Sequence, residues 1–300
     1  METITFNPAS LEVRELHPLL LDGISPRPIA FASTVDAEGR PNLAPFSFFN
    51  VFSANPPVLI FSPARRGRDN TTKHTLENVL EVPEVVVNLV DYAMVQQCSL
   101  ASGDFPEGVS EFEKAGLTPV ASETVQPFRV AESPVQLECK VMRVDALGDG
   151  PGAGQLVVCE ITRVHVRKEV MGPDGRPDAH LLDLVGRCGG NWYVRAAGEA
   201  LFEVAKPLAA PGVGFDALPD EVRRSSLFDR NALAQLAALP ELPDETDVNE
   251  HKLIELSDLY MELEDDPAAL EQALHARAAE ELERGAVREA WMTLLAWNAG

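Results

Sequence analysis

Residues 25–75 read SPRPIAFASTVDAEGRPNLAPFSFFNVFSANPPVLIFSPARRGRDNTTKHT, and this stretch decides the fold. Its β-branched and aromatic residues fall into short runs, Pro28 to Val35, Asn42 to Phe52 and Val58 to Phe61, separated by two polar turns of which DAEG is the first. That texture predicts successive antiparallel strands. A cluster of cations and hydroxyls follows, Arg65, Arg66, Arg68, Thr71, Thr72 and Lys73, at the mouth of a helix predicted over Thr72 to Leu80. The unpaired N–H groups of a helix start attract anions, and cations and hydroxyls beside them suit a phosphate. With Ser47 and Asn50 on a strand edge, the segment fits a ligand with a flat polar ring at one end and a phosphate at the other.

Outward from this stretch the same texture recurs at Val85 to Val90, Val135 to Leu147 and Leu156 to Val166, with a second hairpin signal at GDGPGAG. Runs of this kind point to an antiparallel barrel or sandwich rather than alternating strands and helices. GDGPGA formally matches a dinucleotide-binding fingerprint, but that motif must open a helix, and here QLVVCEITRVHV follows, so it reads as a hairpin turn. A leading helix is predicted over Ser10 to Leu21 behind a Ser cap, interrupted by Pro18, and a capping box at Ser110 to Glu113 opens another that stops near Gly116. Pro207 to Gly214 (PLAAPGVG) reads as a linker. Beyond it come helical stripes: Leu233, Leu236 and Leu239; Leu256, Leu259, Tyr260 and Leu263; Leu270, Leu274 and Leu282; Val287, Trp291, Leu294 and Leu295. Two units are expected, 1–206 and an acidic helical extension over 215–300.

Charge sharpens that division. Residues 1–206 hold 27 acidic against 18 basic residues, a net of −9, and residues 207–300 hold 20 against 7, a net of −13. A total of −22 disfavours nucleic acid and anionic membrane as partners, so the local cation cluster serves something small. No apolar run is long enough to span a bilayer and the N-terminus lacks export features, which makes a soluble cytoplasmic protein the expectation. Cys98, Cys139, Cys159 and Cys188 are widely spaced, with no CxxC and no HExxH among the histidines; reduced thiols and no structural metal are expected.

In order along the chain, PRPIAFAST, DAEG, RPNLAPFSFFN, NPPVLIFSP, GRDNTTKHT, NLV, FPEGVSEFEKAGLTP and GGNWYVR resemble the flavin reductase-like family of FMN-binding split barrels from about Ile24 to Arg195. The resemblance implies a mainly β fold, a six-stranded antiparallel split β-barrel with inserted helices, which forms a homodimer and binds FMN near the subunit interface. It implies that Ser33, Thr34, Phe46, Ser47, Phe48 and Asn50 line the ring or ribityl portion, and that Ser62, Arg65, Arg68, Thr72, Lys73 and Thr75 serve the phosphate end. Family members commonly carry Lys-Asp-Thr where this chain has Lys73, His74 and Thr75, so the ammonium and hydroxyl are kept. A GG..Y.R block, found in the subfamily that resembles flavoredoxin and the reductase component of nitrilotriacetate monooxygenase, places Tyr193 by the flavin.

The implied activity is that of an NAD(P)H-dependent FMN reductase, an oxidoreductase in which the cofactor carries the chemistry and no catalytic side chain is required. Gln155 stands where many of these reductases have a histidine, which weakens a fast nicotinamide-dependent reaction, and His165 reads as structural. The alternatives are a flavoredoxin-like electron-transfer protein and a non-enzymatic flavin-binding or interaction protein. A flavin-dependent monooxygenase or a redox protein is the corresponding partner.

Overall fold

The computed structural model describes residues 2–106, 108–204, 206 and 210–297. The chain divides into two compact units, Met1–Phe202 and Glu203–Gly300. Pro207 to Ala209, the first part of the linker read from the sequence, lie outside the described residues.

The first unit carries strands β1 (Ala30–Val35), β2 (Pro41–Phe46), β3 (Phe49–Ala54), β4 (Pro57–Phe61), β5 (Glu84–Asn88), β6 (Pro119–Val120), β7 (Arg129–Val130), β8 (Val135–Ala146), β9 (Gln155–Val166), β10 (Val185–Arg187) and β11 (Tyr193–Arg195). Its helices are α1 (Val13–Gly23), α2 (His74–Glu81), α3 (Val95–Leu100), α4 (Glu111–Ala115) and α5 (Ala179–Leu182). One antiparallel sheet of seven strands runs in the order β2-β1-β5-β8-β9-β4-β3, and β6-β7 and β10-β11 form two small ladders. Seven strands stand where the resemblance implied six, because the run Asn42 to Phe52 is not one strand. Phe46 is the last β2 residue paired with β1, and the Phe48 carbonyl then accepts from Ser62 N–H at 2.9 Å, so the chain leaves β1 and pairs with β4 instead. The sheet is open at that seam: among the described residues no ladder joins β2 to β3.

Alternation along β1 serves two cores. Ala30 and Ala32 pack with Leu76 and Val79 of α2 and with Leu59, Phe61, Val85 and Leu137 of the sheet, whereas Phe31 joins Leu43, Met94, Cys98 and Phe112 under α3 and α4. GDGPGAG is the turn of the β8-β9 hairpin, as read. The caps differ from the sequence reading. The first helix is closed by a Glu12–Glu15 box rather than by Ser10, and Ser110 precedes α4 without a side-chain cap bond, although Gly116 does end that helix with φ +63°. All four cysteines are unpaired, and burial pushes the Cys98 and Cys159 thiols up to about 12.

The second unit holds α6 (Asp220–Arg224), α7 (Arg230–Ala237), α8 (Glu245–Glu255), α9 (Ser257–Glu262), α10 (Pro267–Glu283) and α11 (Val287–Leu295). Its apolar stripes pack on one another. Trp291 is fully buried and donates its indole N–H to the Leu236 carbonyl at 2.9 Å, with Leu233, Leu282 and Leu294 around it. The Leu256 to Leu263 stripe is broken between α8 and α9, yet Leu256, Leu259, Tyr260 and Leu263 still meet Leu270 and Leu274 in one cluster. No helix among the described residues is long and apolar enough to cross a membrane.

A buried carboxylate braces the β8-β9 pair. Glu138 is fully buried and accepts from the backbone N–H groups of Glu123 and Thr124 (2.8 and 2.7 Å), the Thr124 hydroxyl (2.6 Å) and His165 Nε2 (2.8 Å). Burial alone would raise its pKa; the Thr124 hydroxyl, the two amides and His165 outweigh it and hold the carboxyl at about 2. His165 is thereby a structural histidine. Because the folded pKa is depressed, this stabilisation is complete above the ordinary glutamate range near pH 4.5 and is lost as pH falls towards 2. Glu138→Gln is expected to cost about 3 kcal/mol at pH 7. In denaturant titrations the gap to wild type should narrow steadily between about pH 4.5 and 2; a gap independent of pH would contradict this role.

Candidate functional site

The β2-β3 seam opens on a polar-lined recess of the first unit. A cavity of about 330 Å³ is walled by Ala44, Pro45, Phe46, Ser47 and Phe48 from the seam, by Ser62, Ala64, Arg66, Lys73, His74 and Thr75 from the loop and helix after β4, and by Ala101 to Phe105 after α3. His17 and Leu21 of α1, Arg27, Asn42, Glu111, Arg187 and Cys188 complete it.

Each wall is held by a local cause. At the base of α2, Asn42 donates its side-chain N–H to Thr75 Oγ1 (3.0 Å) and Thr34 Oγ1 (3.3 Å), and Asn78 donates to Thr34 Oγ1 (3.0 Å), all of them buried. This knot ties the first turn of α2 to β1 and β2, so Lys73 as N-cap and His74 and Thr75 at the helix start line the recess. Thr75 Oγ1 accepts from Asn42, and a hydroxyl that accepts can still donate. The cationic loop is clamped to the β8-β9 turn: Arg65 N–H donates to Ala153 O at 2.9 Å, Gly152 N–H to Arg65 O at 3.1 Å, and Asn70 Nδ2 to Asp149 O at 2.9 Å. Arg27, buried under the seam, donates to Ser47 Oγ (3.3 Å), to Cys188 O (3.1 Å) and to the carbonyls of Leu21 and Ile24 at the end of α1.

One charged cluster joins the loop before α2 to the loop after α3. Arg66 reaches the Thr71 hydroxyl (3.0 Å) and the Thr72 carbonyl through Nη1, and Asp104 through Nε and Nη2. Burial first, and then Arg66, lowers the Lys73 pKa. Burial opposes the ionisation of Asp104, yet Lys73, Arg66 and Arg68 together hold its pKa below the usual value. Glu111, which accepts from Leu43 N–H at 3.0 Å, has its pKa raised by burial. Phe46 and Phe48 of the seam add aromatic residues to the wall; Phe46 packs on Phe61 with 5.6 Å between centroids.

Of the residues singled out from the sequence, Phe46, Ser47, Phe48, Ser62, Lys73 and Thr75 line this cavity. Thr34 lies beneath it in the amide knot, and Ser33 faces the other way: its hydroxyl is buried on the Leu43 side of β1 with no hydrogen-bond partner among the described residues. Asn50 accepts from the N–H of Val51 and borders a smaller apolar recess. Arg65 turns to the Asn70 side chain (2.8 Å) and backbone, Arg68 lies outside on Asp69 and Asp104, and Thr72 pairs with Glu77. Tyr193 stacks under Arg187 at 4.7 Å and lines a neighbouring recess with Tyr92 and Arg195; Arg187 borders both recesses. Gln155 donates to Gly148 O at 3.3 Å inside the hairpin turn. Sequence reasoning named Arg66 in the cation cluster without singling it out as a phosphate ligand, and it left out Asn42, Arg187 and Asp104. Adjacent arginines in an irregular loop carry no periodicity to tell them apart, and Asp104 comes from a distant loop.

Comparison with known proteins agrees with this architecture. Residues 23–184 match the family described as flavin reductase like domain. A protein of Aquifex aeolicus is 40% identical over 189 residues, 63% of this chain and 94% of its own length. Nitrilotriacetate monooxygenase component B from Bacillus cereus is 33% identical and superimposes with a TM-score of 0.63 over 68% of this chain and 100% of its own. A split-barrel-domain protein of Shewanella frigidimarina, 24% identical, gives 0.57 over 68% and 100% and supports the fold alone. The seam, the cation-lined helix start and these matches together place the chain in the flavin reductase-like family.

Proposed function

We propose that the first unit binds FMN in the β2-β3 cavity and uses it as an NAD(P)H-dependent flavin reductase. The observation that carries this is the mixed lining of the cavity: Arg66, Lys73 and the start of α2, to which Asn42 is bonded, together with Phe46, Ser47 and Phe48 of the seam and Ser62 after β4. The residues present fit the group. Arg66, Lys73 and Thr75 would hold the phosphate through charge-assisted bonds, and the seam residues would flank the ring with apolar surface and polar backbone. When bound, the flavin supplies hydride acceptance from a nicotinamide and onward electron delivery. The chain's own residues bind, orient and shield: the Asn42 knot fixes the α2 turn, Arg27 fixes Ser47 and the end of α1, and Arg187 adds a further cation to the wall.

The name of the Bacillus cereus relative, a monooxygenase component, favours a flavin-dependent monooxygenase, or another redox protein, as recipient of the reduced flavin. A homodimer is favoured by β3, an edge strand beside the cavity on which Val51 and Phe52 are 56% and 64% exposed. Residues 1–206 form the flavin-binding unit, and 215–300 an accessory unit with its own core. Four unpaired thiols suit a reducing cytoplasm.

Lys73→Ala and Arg66→Ala should each weaken FMN by roughly 1.5 to 3 kcal/mol while leaving riboflavin nearly unchanged, as read by flavin fluorescence titration. Equal losses for both ligands would remove the phosphate from this cluster. Anaerobic addition of NADH, then of NADPH, to the FMN-loaded protein should bleach the oxidised flavin band with at least one donor. Tight FMN without bleaching would instead favour the electron-transfer class.

A further inference from the structure

The cations at the phosphate end carry a resident anion. Asp104, in the loop after α3, places one carboxylate oxygen 3.3 Å from Arg66 Nε, 3.2 Å from Arg66 Nη2 and 3.8 Å from Lys73 Nζ, and the other 2.5 Å from Arg68 Nη2. Arg66 spends its remaining nitrogen on Thr71 and Thr72. Its fork towards the cavity is therefore occupied by a carboxylate, and a phosphate reaches that fork only by displacing Asp104 or by lying beside it at like-charge distance. Lys73 is differently placed: at 3.8 Å it attracts Asp104 without a close hydrogen bond.

We propose that Asp104 is an affinity-setting residue, an internal competitor for the ligand's phosphate that keeps a phosphorylated flavin exchangeable. This rests on the assignment of FMN to the cavity. A chain of net charge −22 has no need of a further carboxylate in its main cationic cluster for solubility, and Asp104 touches the cations that line the cavity rather than only the exposed Arg68. A ligand without phosphate leaves the Asp104 contacts intact and is bound without that competition. The site thus discriminates less steeply between FMN and riboflavin than its cations alone would.

The test compares FMN and riboflavin on the full chain, wild type and Asp104→Asn, by fluorescence titration and by stopped-flow release at low and high salt. Removing one like charge at a partly exposed site should tighten FMN about tenfold, chiefly through slower release, leave riboflavin unchanged, and do so less at high salt. Asp104→Ser should behave alike, which separates the charge effect from a folding defect of one substitution, and Asp104→Glu should stay near wild type. If wild type prefers FMN over riboflavin but neither neutral variant binds FMN more tightly, Asp104 is a brace for the cations and the inference fails alone. If wild type and both neutral variants bind the two flavins equally, the phosphate assignment fails and takes the inference with it.

Discussion

The site depends on one buried polar knot, the Asn42 amide between Thr75 and Thr34 with Asn78 closing it from α2. A strand, its hairpin neighbour and a helix start are held in one register by groups that have no water to fall back on, so their directional bonds decide where α2 begins. From that fixed turn the rest follows. Lys73 becomes the N-cap, its neighbours line the recess, and the preceding loop is drawn back across the β8-β9 turn, where Ala153 and Asp149 clamp it. An anion site built from a helix start and flexible cations works only when the helix start does not move.

The second constraint is the seam. Ending β2 at Phe46 and beginning β3 at Phe49 leaves Ser47 and Phe48 outside both strands, at the edge of the recess, with Arg27 beneath to hold Ser47. An uninterrupted strand across this region would have committed those residues to a ladder. The open seam is thus the feature that leaves room for a recess beside the sheet, and aromatic Phe46 and Phe48 form part of its wall.

Much of this was legible in the sequence, and the exceptions have physical reasons. Strand runs, the DAEG and GDGPGAG hairpins and the amphipathic tail are local patterns, and they form apart from the breaks within Asn42 to Phe52 and at Leu256. The split of Asn42 to Phe52 into two strands depended on which neighbours each half could pair with, a non-local matter. Phe46, Ser47 and Phe48 came from the family resemblance, and Lys73 and Thr75 from the coincidence of cations, hydroxyls and a helix start; all five line the recess. Arg65 and Arg66 were indistinguishable in sequence; the fold turns the first to Asn70 and the second to the cavity. Ser33 differs from Thr34 by one position and, with the pleat, by a whole face of β1.

The helical unit adds charge without sharing the family match, which ends at residue 184, and it buries its stripes around Trp291 and Leu256. The most direct test of the central claim is a crystal structure of the protein with FMN. The account predicts the phosphate between Arg66 and Lys73 at the start of α2, with the ring against Phe46 and Phe48. Flavin density in the neighbouring Tyr92 and Tyr193 recess, with the phosphate away from Arg66 and Lys73, would contradict it.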